Sequence, residues 1–305
     1  MKTKIVIVLG PTAAGKTELA LELAQNIKGE IVNADSQQVY CYMDIGTGKP
    51  SKDDRERVRH HLIDSVNPDE EFNAAVYRRL ATECIGEIHQ RGAHVVVCGG
   101  TGLYLKALTH GLFTGPGQDH EIRRVLDREI REQGLAPLYR RLVEIDPTVT
   151  STIHPNDHQR IIRALEVYQS TGRPLSEWQK EHAFQENPFD VLKIGVLRER
   201  TELYDLINRR SERMIQDGLL DEARGLVARG YGLDLKPLHS VGYRQMGEVI
   251  QGRKELPEAL AEMKQETRHL AKRQLTWFRR DDEIRWYHPE KQRQEIIETV
   301  RLFLH

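Results

Sequence analysis

The chain has 305 residues, 39% hydrophobic and 30% charged, enough to bury a full core and too evenly mixed for a disordered or membrane-embedded protein. Its formal net charge of −1 excludes a protein basic throughout, so any nucleic-acid contact must come from local basic faces. Apolar runs such as Ile5–Leu9 and Val95–Cys98 are strand-sized, well short of the roughly 18 residues a membrane helix needs.

The N-terminus runs from Met-Lys-Thr-Lys directly into a predicted strand with no signal region, so a cytoplasmic protein is expected. Residues 4–10 form a β-branched run suited to a strand buried on both faces. Leu19, Ala20, Leu23, Ala24 and Ile27 then recur at helical spacing. A short strand ending near 31–36, a helix over about 72–91 and a strand over 93–100 follow. This alternation predicts an α/β fold of the P-loop NTPase-like kind, a parallel sheet flanked by helices. A Gly/Pro-rich stretch at 111–119 breaks the pattern, and the chain then reads as helical until the strand-like run 191–197. We therefore expect a first part of the core over 1–115, a small all-helical insertion domain over 116–187, and a second part of the core with basic C-terminal helices over 188–305. Cys41, Cys84 and Cys98 stand apart with no Cys-x-x-Cys pair, so neither a disulfide framework nor a zinc site is expected.

Gly10, Pro11, Thr12, Ala13, Ala14, Gly15, Lys16 and Thr17 match G-x-x-x-x-G-K-[ST] between a strand and a helix, where loop N–H groups converge on an anion. Lys16 would reach the phosphates and the Thr17 hydroxyl a Mg²⁺ ion. The motif is a nucleotide-binding signature but does not itself establish ATP. A P-loop NTPase normally supplies an Asp at the end of a second buried strand, whereas Val95–Val97 runs into Cys98-Gly99-Gly100. Asp64 would substitute if its segment were a strand. Asp35, after the second strand, belongs at the carboxyl edge of the sheet, where it serves either as a general base or as a turn cap. His60 and His61 are neighbours on a predicted strand and face opposite ways, so they are assigned no metal.

Arg210 falls on the apolar stripe of Leu203, Ile207 and Met214. A buried guanidinium needs an anion, either a phosphate or a structural carboxylate, unless it reaches the surface. Arg160 and Arg163 share one helix face, opposite Ile161 and Ile162. Lys264, Arg268 and Lys272 repeat at i, i+4, i+8 beside His269 and Arg273, followed by Trp277 and Arg279. Such stripes are either solvated helix faces or contacts for a polyanion.

Several stretches taken together, "GPTAAGKT", "NADSQQVY", "MDIGTGKP", "HHLID", "GGTGLYL", "QRIIRALEV", "HSVGYRQM" and "RHLAKRQLTWFRR", resemble the bacterial tRNA dimethylallyltransferases from residue 8 to about 280. The resemblance implies that the P-loop holds the diphosphate of dimethylallyl diphosphate rather than ATP. It also implies Mg²⁺ and transfer of the prenyl group to N6 of adenosine 37 in the tRNA anticodon stem-loop. Asp35 would be the base, Thr101 would lie near the reacting centre, and Arg210 would join the loop at the diphosphate. Contacts to tRNA would come from Asp35, Ser36, Gln37, Gln38 and Thr101, and from Gln159, Arg160, Ile161, Ile162 and Arg163. Ser240, Val241, Gly242, Tyr243, Arg244, Gln245, Arg268, Lys272 and Arg273 would complete them. A monomer is expected.

Three rivals remain at this level: prenyl transfer to a free adenine nucleotide, a small-molecule kinase, and a nucleic-acid-binding protein regulated by its phosphate loop. The helical insertion and basic C-terminal helix favour a polymer over the first. The "GTGKP" and "VGYRQ" stretches are unexplained by the second. The third would tolerate loss of Asp35.

Overall fold

The computed structural model describes residues 2–112, 115–182 and 186–305. Parts of the two expected domain borders, at 113–114 and 184–185, lie outside them. Among the described residues one sheet runs in the order β3-β2-β4-β1-β5-β6, every pairing parallel. The strands are β1 (Thr3–Leu9), β2 (Gly29–Asn33), β3 (His60–His61), β4 (His94–Gly99), β5 (Phe189–Val196) and β6 (Arg285–Tyr287). The expected α/β class with helices flanking a parallel sheet is what the chain adopts.

Successive side chains on a strand point to opposite faces, and the two cores follow that alternation. Ile5, Ile7 and Leu9, with Val95 and Val97, face Tyr77, Ala81, Ile85 and Ile88 of the helix Ala74–Gln90. Val6 and Val8, with Val96 and Ile194, face Leu19 and Leu23 of the helix Lys16–Asn26, Leu203 and Ile207 of Arg200–Gln216, and Ile296 and Val300 of Arg293–Leu304. β1 is buried on both faces because helices pack on each side of the sheet, which is why its sequence shows a continuous apolar run rather than alternation.

The chain divides into two compact units, one of Met1–Thr109 with Asn187–His305 and the other His110–Glu186. The described elements of the second unit are all helices, from His120–Gln133 to Leu175–His182. They pack around Leu126, Leu142, Ile161 and Leu165. Ile161 and Ile162, expected against tRNA, are 0% and 3% exposed in this core, so their side chains are withdrawn from any RNA.

Asp64 corrects a second expectation. The strand before it ends at His61, and Asp64 has a left-handed φ of 52°. Its carboxylate pairs with Lys49 at 2.5 Å and Arg55 at 2.7 Å. These pairs hold its pKa below the usual carboxylate value, against the desolvation of its surroundings. Asp64 thus secures the loop around Lys49, whose side chain is 1% exposed, and does not replace the missing strand-end carboxylate.

Candidate active site

Four loops meet at the carboxyl edge of the sheet: the P-loop after β1, the Asp35 turn after β2, the Gly-Gly-Thr-Gly turn after β4, and the segment at Arg198 after β5. Open α/β sheets bind ligands at this edge. Gly15, at a left-handed φ of 100°, turns the P-loop into its helix. Lys16 Nζ donates to Pro11 O at 2.7 Å. Burial brings its pKa down to about 8, while the nearby Cys98 and Asp35 oppose the shift. The Cys98 thiol is pushed up to about 12 by burial and stays neutral. The Thr17 hydroxyl lines a small hollow with Asn33, Gln38 and Cys98 and has no hydrogen-bond partner among the described residues.

Asp35 is both cap and free carboxylate. Its Oδ1 accepts from Gln37 N at 2.8 Å and Gln38 N at 3.4 Å, an Asx turn. Its Oδ2 has no hydrogen bond among the described residues. The buried Asn33 side chain sets up the turn, accepting from Asp35 N at 3.2 Å and donating to Leu62 O at 2.9 Å. Thr101 Oγ1 accepts from Ser36 N at 2.9 Å, and its carbonyl starts the helix Gly102–His110 by accepting from Tyr104 N and Leu105 N. Thr101 therefore ties the Asp35 turn to the β4 turn.

A cleft is lined by the polar residues Asp35, Thr12, Gln37, Thr47, Arg210 and Gln274 and by the apolar Met214, Val241, Met263 and Leu270. The empty space is about 630 Å³, open solvent at the mouth included. Gln37 Oε1 is buried with no hydrogen-bond partner among the described residues. Arg210 Nη2 donates to Thr47 O at 3.3 Å, using one of five guanidinium donors. Burial lowers its pKa, and the nearby Asp35 carboxylate works against that. The anion demanded by Arg210 is thus not supplied by an ion pair among the described residues.

The "VGYRQ" stretch is placed differently from the RNA contact expected of it. Tyr243 and Gln245 are 1% and 0% exposed. Tyr243 donates its hydroxyl to Glu222 at 2.5 Å, and the same carboxylate accepts from Asp44 N, Ile45 N and Gly46 N at 3.0, 2.8 and 3.1 Å. Burial and the adjacent Glu222 raise the tyrosine pKa, so the hydroxyl remains a donor. Gln245 caps its own helix at Gly242 N, 2.8 Å away, and Arg244 pairs with Glu262. Ser240 and Val241 line the cleft.

The basic stripes divide in the same way. Arg163 donates to Pro116 O at 2.7 Å, Gly117 O at 3.2 Å and the buried Glu166 at 2.7 Å, so it fastens the start of its own unit. Gln159 and Arg160 are exposed. In the long helix Leu256–Phe278, Lys264 pairs with Glu212, and Arg268 donates to Asn208 at 2.7 Å. Lys272 and Arg273 are exposed, with no side-chain partner among the described residues.

Three structural supports escape a reading by motif. Glu222 holds the 44–46 loop. Arg198 donates to Ala14 O at 2.9 Å and pairs with Glu202 and with Glu290 at 2.7 Å, bracing the P-loop. Gln274 accepts from Thr12 N at 2.8 Å and donates to Gly100 O at 3.0 Å. Apart from Gln274's place within a quoted motif, no local pattern marks them. Among the described residues no group of three or more His, Cys, Asp or Glu forms a metal cage.

Comparison with known proteins agrees with this architecture. A family model described as IPP transferase matches residues 38–281. A tRNA dimethylallyltransferase from Geobacter metallireducens is 50% identical over 304 residues, covering 100% of this chain and 98% of the relative. One from Geobacter sulfurreducens is 50% identical over 285 residues, covering 93% and 92%. The crystal structure of a tRNA isopentenylpyrophosphate transferase from Bacillus halodurans superimposes with a TM-score of 0.74 at 38% identity, covering 99% of this chain and 97% of the other. A eukaryotic dimethylallyltransferase described as acting on tRNA gives a TM-score of 0.84 at 26% identity, covering 99% and 79%.

Proposed function

The chain belongs to the IPP transferase family and is a transferase that prenylates tRNA; from this premise we propose which atoms react and which residues move them. The donor is dimethylallyl diphosphate and the acceptor is N6 of adenosine 37, beside the anticodon. N6 attacks the allylic C1, the C1–O bond breaks, diphosphate leaves, and the N6 proton passes to Asp35 Oδ2. The observation that carries this reading is the lining of the cleft, which joins Asp35, Arg210 and the P-loop residue Thr12 with the apolar Met214, Val241, Met263 and Leu270. A diphosphate with a five-carbon tail combines the same two characters.

Each site residue has a task in this reaction. The loop amides, Lys16 and Arg210 bind the diphosphate and stabilise the charge that grows as it leaves. Thr101 holds the Asp35 turn through Ser36, keeping Oδ2 available to N6. The unpartnered Gln37 Oε1 offers an acceptor to the adenine edge. A Mg²⁺ ion fits the unpaired Thr17 hydroxyl, because Mg²⁺ commonly takes few protein ligands and completes its shell with phosphate oxygens and water; when bound it would neutralise diphosphate charge.

The adenine must leave its stack to reach such a cleft, at a cost of a few kcal/mol that backbone contacts offset. Gln159 and Arg160 in the helical unit, and Lys272 and Arg273 in the core unit, are the exposed groups suited to those contacts. One copy of the chain in the cytoplasm suffices for this scheme. The test is incubation with Mg²⁺, labelled dimethylallyl diphosphate and unmodified tRNA. Label is expected in the RNA at adenosine 37. Label in free adenine nucleotide, or consumption of ATP instead, would overturn the proposal.

A further inference from the structure

We propose that Gln274 is a positioning residue that sets the spacing between the diphosphate loop and the base-bearing turn. This inference rests on the reading above. Gln274 is the one side chain among the described residues that bonds both the P-loop and the turn after β4, with Oε1 on Thr12 N and Nε2 on Gly100 O. Thr12 belongs to the P-loop. Gly100 precedes Thr101, which holds Ser36 N at 2.9 Å and with it the Asp35 turn. One amide thus links leaving group and base through short, directional contacts.

The fit between helix and turn supports the assignment independently of those bonds. A Cβ on Gly100 would lie 2.4 Å from Gln274 Nε2, and one on Gly102 would lie 2.3 Å from the Trp277 ring. Residues 274 and 277 are one helical turn apart, so they lie on the same face of the helix Leu256–Phe278. That face grips the glycines on either side of Thr101. The pairing gives a physical reason for Gly-Gly-Thr-Gly in one motif and Gln-x-x-Trp in another.

A planar primary amide suits the position because Thr12 N needs an acceptor and Gly100 O a donor. Methionine keeps the length and loses both bonds. Glutamate keeps only the acceptor and places a negative charge beside the donor's phosphates. Reaction requires the attacking atom within about 3–3.5 Å of its target, and a displacement near 1 Å costs up to about a hundredfold. Loosening the link should therefore slow the bound complex more than it weakens either substrate.

The experiment measures kcat and KM for both substrates, with inorganic diphosphate affinity and melting temperature, in wild type, Gln274→Met and Gln274→Glu. In Gln274→Met, kcat should fall between about tenfold and a hundredfold, while tRNA KM and diphosphate affinity stay within about threefold of wild type. Gln274→Glu should show the kcat loss together with weaker diphosphate binding. If Gln274→Met melts too low to assay, Gln274→Glu carries the test through its kcat. Wild-type kcat in a folded variant, or a loss confined to KM, would overturn the inference and leave the functional reading intact. Failure of the wild-type chain to prenylate tRNA would overturn that reading, and this inference with it.

Discussion

Asp35 shows how one carboxylate holds a turn and still keeps a free oxygen. Because Oδ1 accepts from Gln37 N, alanine would remove the turn along with the proposed base, whereas asparagine preserves the acceptor. Asp35→Asn is therefore the sharper variant. We expect transfer to fall by at least about a hundredfold with tRNA affinity retained, and near-wild-type turnover would strike Asp35 from the mechanism. Lys16 makes a second prediction at this scale. Its pKa is lowered from 10.5 to about 8, so the free loop loses its positive charge as pH rises through 8. Binding of inorganic diphosphate, followed by calorimetry, should weaken by up to about tenfold per pH unit above that point; Lys16→Arg should flatten the dependence. The same shift makes the folded chain release this proton before the unfolded chain does. Its contribution to stability therefore rises between pH 8 and 10.5.

At the scale of elements, the loop at 44–48 is held by a helix far from it in sequence. Three of its N–H groups end on Glu222 in the first turn of the helix Leu219–Ala228, and Tyr243 supplies the fourth bond. Thr47 of this loop in turn receives Arg210. Tyr243→Phe deletes a charge-assisted hydrogen bond without changing the ring, so it should cost about 1.5–3 kcal/mol in denaturant unfolding. An interior tyrosine has no direct share in RNA electrostatics, and the slope of tRNA affinity against salt should stay that of the wild type. Weaker tRNA binding by the folded variant at an unchanged slope would mean that Tyr243 reaches the RNA after all.

At the scale of the molecule, two units have separate cores, and in the helical one position on a single helix separates structural from available charge. Arg163 and Arg160 are three residues apart. Arg163 and Arg123 compensate the buried Glu166, whose pKa they hold below the usual value against its desolvation. Arg160 faces solvent beside Asp157. Arg160→Ala should lower the salt slope of tRNA binding by about one without affecting unfolding. Arg163→Ala should lower the unfolding free energy by about 1–3 kcal/mol, a buried carboxylate having lost a charged partner. Equal effects of the two substitutions on both measurements would contradict this division.

The sequence by itself determined whatever contiguous residues encode. The P-loop lies within eight positions, the buried strands show as unbroken β-branched runs, and the parallel class follows from their alternation with helices. Asp35 was recognisable because it follows a strand, although its capped Oδ1 and its open Oδ2 became visible only with the turn formed. Tertiary structure decided which polar groups face the cleft and which serve the interior. Gln274 is 262 positions from Thr12, Arg198 is 184 from Ala14, and Glu222 is 177 from Ile45. A charged stripe has the same spacing whether it meets water or a neighbouring helix, so Lys264 and Arg268 look no different in sequence from Lys272. Hydrogen bonds form within about 3 Å, and only the packed chain brings such distant residues that close.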